Sequence, residues 1–552
     1  MSEAEDLAVL NTLIYEDGFI KAYDDLSGQK GTEAHSSVTL EDVLNKTLSD
    51  PMYYGAHDEF ITDEQYWSLV NHAASTDSIS SLTVVDLTVS GTTIPDTNLP
   101  QTSYNMTLVG DEKMYVVFKG TSDGEWTDNM RGLYQSDTQA QVAASEYVTA
   151  MDSRYGGGRI VVVSGHSKGG NKAMYSAITN PAVDGCYSFD GQGFGPQFLG
   201  KYAHEVAERR GIIHAYNYEG DFVSALLEPI AGETHFTERH EEGVVPVLLS
   251  IFRGDAAFLP ENHAPISLFA DTRDFSLDVS GTPSDYWRTI NGFTSWVVHN
   301  LPAHRQEAVA EFLGGCADNP GDVARIIGED PEAVGTLVAC LGGYPGSALL
   351  LQQLLGTDPD LDGLADLLVV GGLSVPIAAD VSLDTLVWAL KDDRTRALAI
   401  QWLLSFLGIE VDTVWLARFE AAARSTQSDV ERGAAGASTV TVRREELRDW
   451  SEGRLRELMA IADEADWDLQ CDITQWDSLG RVEGLLGADA SGWQDEIHSC
   501  LRRQLYENDA LKCGIWQAFQ RASEHDAQFA SAIGDMPGAI ADAAAQLDGI
   551  LA

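Results

Sequence analysis

The chain has 552 residues, 44% of them apolar and 9% aromatic, so it can bury a large core and is long enough for several domains. Its 35 basic and 85 acidic residues leave a formal net charge of −50. That balance argues against a nucleic-acid partner, whose phosphate backbone demands a basic face, and against broad docking on anionic lipid. Six scattered cysteines form no C-x-x-C pair, so free thiols are expected rather than a disulfide framework or a zinc ribbon. The segment Met1–Asp6 is acidic where a signal peptide is basic. The most apolar stretch, Leu367–Ala379, is short and interrupted by Gly371, Gly372 and Pro376, so no transmembrane segment is expected. The reading is a soluble, cytoplasmic protein, with non-classical export as the alternative.

In chain order, Ala8–Tyr15 and Leu40–Leu48 carry helical patterns, and Ser81–Val89 is rich in Val, Leu and Thr, as a strand is. Met106–Val109, a Gly110–Glu112 turn and Met114–Phe118 alternate as a β-hairpin does. Gln139–Met151 reads as helix, Arg159–Ser164 as a buried strand and Asn171–Ile178 as helix. Gly185–Phe189 and Ile212–Tyr218 read as further strands. Strands alternating with helices predict a mainly parallel sheet with helices on both faces. Beyond about Gly315 the pattern becomes helical, with a small polar linker predicted over Asp429–Ser438. The predicted divisions are 1–315 (α/β), 316–430 (helical) and 440–552 (a helical hairpin).

The informative segment is Arg159–Met174, which contains G-x-S-x-G as Gly165-His166-Ser167-Lys168-Gly169. An apolar strand precedes the pentapeptide and a helix follows it, which is the context a nucleophile elbow requires. There the strand ends in a tight turn that projects the Ser167 hydroxyl from the carboxyl end of the sheet. Gly165 and Gly169 let strand and helix crowd that turn. The Lys168 amide, at the helix N-terminus, points where an oxyanion would form. The plainer reading is a glycine-rich helix cap with an incidental serine.

This segment resembles the class 3 lipase superfamily of α/β-hydrolases, and the longer string GHSKGGN resembles an uncharacterised bacterial branch of it. Val116–Thr121 is similar to the strand that supplies the oxyanion residue. Trp126–Asn129 resembles the W-x-x-D element that follows, with its Asp one position early. Tyr187–Phe194 resembles the next strand and its turn, FDGPGF in that branch. The likeness covers roughly residues 5 to 315. It implies an α/β-hydrolase fold and a Ser–His–Asp triad.

A serine hydroxyl needs a base, and the base needs an orienting carboxylate, in the chain order Ser, acid, His for this fold. Asp221 and Asp190 compete as the acid. Asp221-Phe222-Val223 matches the D-x-V turn of the class 3 lipases, while Asp190 reads as a turn-stabilising residue; Asp221 could instead cap a helix over Val223–Leu227. The base must follow Asp221, which leaves His235, His240, His263, His299, His304, His498 and His525. His263 lies in a loop resembling the branch's H-D-P-F loop, with Ala264 in place of the Asp. His235 and His240 read as members of a charged loop, and His166 as pointing away from the hydroxyl. Thr121, through its backbone N–H with its hydroxyl in reserve, and Lys168, through its backbone N–H, are the candidate oxyanion donors; the plainer account makes Thr121 a turn residue.

Leu226–Glu261 is an insertion whose apolar run, Val244–Phe252, reads equally as a lid or as a packing helix. In the tail, Trp388, Leu390, Leu403 and Phe406 suggest buried helix faces, and the C-terminal helices are a candidate surface for a protein partner. The leading expectation is a serine hydrolase cleaving acyl esters, with a small-molecule or lipid substrate and a need for neither cofactor nor metal. The alternative is an idle hydrolase fold used as an interaction or delivered-effector scaffold.

Overall fold

Residues 2–28, 37–57, 60–89, 103–121, 125–238, 263–355, 383–392, 395–406 and 408–439 are described by a computed structural model. The chain opens with α1 (Glu3–Leu13), whose N-terminus is closed by a reciprocal capping box between Ser2 and Glu5. The helices α2 (Asp17–Ser27), α3 (Leu40–Ser49) and α4 (Asp63–Ser75) follow. Thr39 and Thr62 cap the last two through their hydroxyls. Between and after these helices come β1 (Val38–Thr39) and β2 (Thr83–Val89).

Alternation then builds the sheet. β3 (Tyr104–Val109) and β4 (Lys113–Phe118) form the expected hairpin, closed by Gly110 N–H donating to the Lys113 carbonyl at 2.9 Å. After α5 (Trp126–Arg131) and α6 (Gln139–Met151) comes β5 (Ile160–His166), then α7 (Lys168–Thr179), β6 (Gly185–Phe189), α8 (Ala203–Arg209), β7 (Ile213–Tyr218) and β8 (Glu233–Thr237). The eight strands lie in sequence order; β1 to β4 pair antiparallel and β4 to β8 pair parallel.

Stepping one neighbour at a time in one direction, with the right-handed crossovers that parallel strands adopt, sends every crossover helix to the same face. The packing follows. Met114, Val116, Phe118, Val161, Val163 and Ile213 turn to that face and bury against residues of α6 to α8 such as Val148, Ala173 and Val206. Val117, Val162 and Phe189, one residue out of phase, turn to the other face and meet the N-terminal helices through residues such as Leu10 and Phe19. Helices therefore cover both faces, as expected, but one layer comes from the crossovers and the other from the first eighty residues.

The later helices are α9 (Asp285–Asn300), α10 (Ala303–Asp318), α11 (Pro331–Gly343), α12 (Leu383–Lys391), α13 (Arg396–Phe406) and α14 (Thr413–Thr439). Phe312, Val334, Leu386, Ile400 and Phe419 form a core of their own there. Met1–Thr426 is one compact unit and Gln427–Ala552 a second. Position 315 falls inside α10 rather than in a connection.

Two sequence readings are corrected. The expected linker over Asp429–Ser438 is helical: it carries Ala434, Ala435 and Ala437, and alanine's helix propensity outweighs two glycines. His235 lies in strand β8, not in a loop; pairing with β7 imposed the strand. The Val244–Phe252 run, His240, the Leu367–Ala379 stretch and the 440–552 region with His498 and His525 lie outside the described residues. No helix among the described residues is long and apolar enough to cross a membrane. Cys186, Cys316 and Cys340 are buried free thiols.

Candidate active site

β5 delivers the chain to His166, and the next residue breaks out of the strand. Ser167 has φ 61° and ψ −128°, a left-handed conformation that costs a β-carbon-bearing residue roughly 1–3 kcal/mol. The strain is held by Ser167 N–H donating to the Phe189 carbonyl at 2.8 Å and by α7 starting immediately at Lys168. Glycine is required on both sides. A Cβ on Gly165 would lie 2.0 Å from the Gly169 carbonyl carbon, and one on Gly169 would lie 2.0 Å from the Phe118 carbonyl oxygen. The sequence thus permits a closely crossed strand and helix with a serine at their vertex.

His263 reaches this vertex. Its Nε2 is 2.7 Å from Ser167 Oγ, and its Nδ1 is 2.6 Å from Asp221 Oδ1. Asp221 stands just beyond β7, and its second oxygen accepts from Ser224 N–H at 2.6 Å. That turn is not helical, so the alternative role as a helix cap is replaced by a local turn made with the oxygen that His263 does not use. All three side chains are buried. Both ring nitrogens of His263 are thereby engaged. This matters because His166, Asp190 and His263 cluster closely enough to suggest a metal site; His263 has no lone pair left to offer it.

Thr121 follows β4 in the chain. At the position before it, a Cβ on Gly120 would lie 3.0 Å from Ser167 Cβ, so this strand end packs directly on the nucleophile. Asn129 Nδ2 donates to Thr121 Oγ1 at 2.8 Å, leaving the threonine's own proton free to point elsewhere. Gln192 Nε2 in turn donates to the Asn129 carbonyl at 3.1 Å.

The Lys168 side chain was not anticipated in any role. Its ammonium lies 2.6 Å from Asp128 Oδ2, both groups almost wholly buried. Burial pushes the Asp128 carboxyl up, but Lys168, the Thr138 hydroxyl and Ala140 N–H outweigh it and hold the group below its ordinary value. One turn on, Lys172 donates to Ser103 Oγ at 2.8 Å and faces Glu125 at 3.5 Å. Burial pulls its ammonium pKa down against the pull of Glu125. The available signal was two opposite charges inside the two motif segments, the Asp of W-x-D and the Lys of the elbow.

Asp190 performs the turn role expected of it. It sits at φ 47°, its N–H donates to the Tyr216 carbonyl, and its Oδ1 accepts from Tyr218 N–H at 2.6 Å, so it ties β6 to β7. Burial and the nearby Asp221 raise its pKa well above the carboxylate range. The His166 ring lies against that of His263, centroids 4.8 Å apart, and its Nδ1 is 2.9 Å from the Tyr15 hydroxyl rather than at the Ser167 hydroxyl, which pairs with His263. His299 pairs instead with Glu228 at 3.2 Å and lies in α9. His304 lies in α10.

A family model described as Mbeg1-like matches residues 94–229, about a quarter of the chain. No curated protein and no solved structure matches the chain. The matched stretch holds Thr121, Lys168, Ser167 and Asp221 and stops short of His263.

Proposed function

We propose that the chain is a serine hydrolase that cleaves acyl esters through Ser167, His263 and Asp221. The observation that carries this reading is the continuous hydrogen-bonded line Ser167 Oγ–His263–Asp221, anchored at a strained strand-to-helix turn. The Mbeg1-like match supports it, since that family is linked to lipase-like class 3 proteins.

In this mechanism Ser167 Oγ attacks the ester carbonyl carbon while His263 Nε2 takes the hydroxyl proton. Asp221 holds the Nδ1 proton and stabilises the imidazolium that forms. The carbonyl oxygen becomes an oxyanion, met by the backbone N–H groups of Thr121 and Lys168, with the Thr121 hydroxyl as a further donor. His263 then returns the proton to the leaving alcohol, and an acyl-Ser167 intermediate remains. Water repeats the sequence and releases the carboxylic acid. Each oxyanion donor contributes roughly 3 kcal/mol at the transition state.

The test is a fluorophosphonate probe together with turnover of a short p-nitrophenyl ester. The full chain is expected to label, and Ser167→Ala to lose both labelling and at least about 10⁴-fold in kcat. A folded wild type that neither labels nor turns over ester favours the idle-scaffold reading instead.

A further inference from the structure

We propose that Tyr15 is a positioning residue for this reaction: its hydroxyl ties the oxyanion end of β4 to the residue before the nucleophile, and through that residue to the base. The inference rests on the serine-hydrolase reading above.

Gly120 N–H is a donor only, and it lies 3.0 Å from the Tyr15 oxygen, so that oxygen accepts. The same hydroxyl is 2.9 Å from His166 Nδ1, and which of that pair donates follows the imidazole's tautomer. Burial pushes the His166 pKa well below the ordinary imidazole range, and His263 pushes it the same way, so the ring is held neutral. Neutrality has a purpose here. When His263 takes the Ser167 proton, a cation forms on a ring whose centroid is 4.8 Å from that of His166. A second cation there would oppose the step.

The packing shows how closely the hydroxyl is fitted. A Cβ on Gly120 would fall 2.0 Å from the Tyr15 oxygen. Glycine stands before Thr121 because the tyrosine hydroxyl occupies the place of its side chain. Glycine alone leaves a strand end conformationally loose, whereas an oxyanion donor must be fixed to within a fraction of an ångström. Tyr15 supplies that restraint. Its ring also meets the Lys119 ammonium at 5.2 Å from the centroid.

The helix that carries Tyr15 is moored to the sheet by polar contacts along its length. Glu3 meets Lys113 and the Tyr115 and Tyr187 hydroxyls near its start. Asn11 Nδ2 donates to Ser164 Oγ on β5 at 3.0 Å, two residues before His166. Tyr15 stands just past the end of this helix, after its C-terminal cap Ile14. None of these N-terminal residues lies in the stretch that the family model matches. The first helix is thus both a core layer and the mount for a hydroxyl aimed at the site.

The experiment uses the full chain and compares wild type with Tyr15→Phe, which keeps the ring and removes only the hydroxyl. Tyr15→Phe is expected to melt near the wild-type temperature, to keep KM, and to lose about 10- to 100-fold in kcat and in the rate of fluorophosphonate labelling. A purely structural hydroxyl would lower the melting temperature and leave kcat per folded molecule unchanged; that result overturns the proposal. If Tyr15→Phe does not fold, His166→Gln and His166→Leu decide. Glutamine's amide can still pair with the Tyr15 hydroxyl, so His166→Gln is expected to keep more kcat than His166→Leu, and equal losses overturn the proposal. Labelling of wild type and its dependence on Ser167 are measured alongside. An unlabelled wild type removes the serine-hydrolase reading and this proposal with it, whereas a labelled wild type with an indifferent Tyr15→Phe removes this proposal alone.

Discussion

The strand-rich region and the helical region after it fill their interiors differently. Around the sheet's carboxyl end the interior holds ionisable groups: Glu125, Asp128, Lys168, Lys172, Asp190 and Asp221 are all nearly inaccessible to water. In the helical region the core of Phe312, Val334, Leu386, Ile400 and Phe419 is apolar, and pairs such as Arg418–Glu332 stay at the surface. The buried Arg396 there is a stitch, donating to the Leu390 and Lys391 carbonyls at 2.8 Å and lying 3.6 Å from Glu420. Removing charge from water is expensive, and apolar residues of equal volume would serve stability as well or better. A fold that concentrates such groups at one end of one sheet does so where fixed charges and dipoles perform chemistry. The two regions are nevertheless joined at α5. Asp318, in the last turn of α10, accepts from Trp126 N–H at 2.9 Å and from Thr127 N–H at 3.0 Å, and Glu311 holds Arg131. The helix that presents Asp128 and Asn129 to the site is capped from the helical region.

Breaking the buried pair should give the largest effect. Lys168→Met strands Asp128 in the interior, with an expected loss of about 3–5 kcal/mol of unfolding free energy, read from the shift of a urea midpoint. Lys168→Met combined with Asp128→Leu should recover much of it. A single variant as stable as wild type would show that the pair does not hold the oxyanion segment to α7.

Asp318→Ala tests the join between the regions. Loss of an N-terminal cap costs about 1–2 kcal/mol, here localised at α5, and because Asn129 orients Thr121 a several-fold fall in kcat should accompany it. Faster amide exchange over Trp126–Arg131 would locate the change. Unaltered exchange and turnover would mean that α5 stands without its cap.

The smallest effect belongs to the helical surface. Arg418 and Glu332 form a two-pronged pair at 2.7 Å, but both side chains are about half exposed. Arg418→Ala is expected to leave the urea midpoint almost unmoved and ester turnover unchanged. A larger loss would make the helical region more dependent on charge than its apolar core implies.

Much of this molecule was legible in local pattern. β-branched composition, short apolar runs and, in the hairpin, two-residue alternation marked β2 to β7 to within a residue or two; α6 was read from its helical pattern, and the hairpin turn and the elbow from turn chemistry and from an apolar run beside glycines. Chain order left two acids and seven histidines, and the resemblance to the D-x-V turn and the H-D-P-F loop picked Asp221 and His263 from them; the fold brings Ser167 and Asp221 to either side of the His263 imidazole. Each of these follows from the backbone's own short-range preferences and from an ordered motif. Strand β8 was missed because it owes its form to the edge of β7 rather than to its own composition. The helical 429–438 segment was missed because glycine and serine were weighted above the alanines around them. Tyr15 meets His166 across 151 residues and Asp318 meets Thr127 across 191, while Lys168 and Asp128 are joined by nothing but tertiary packing. Sequence determined which backbone each segment would adopt, because φ/ψ preference and hydrophobic period act over a few residues. Only the tertiary structure decided which polar side chains are buried together, because that depends on the layers that meet, and a buried charge finds its partner wherever the fold places one.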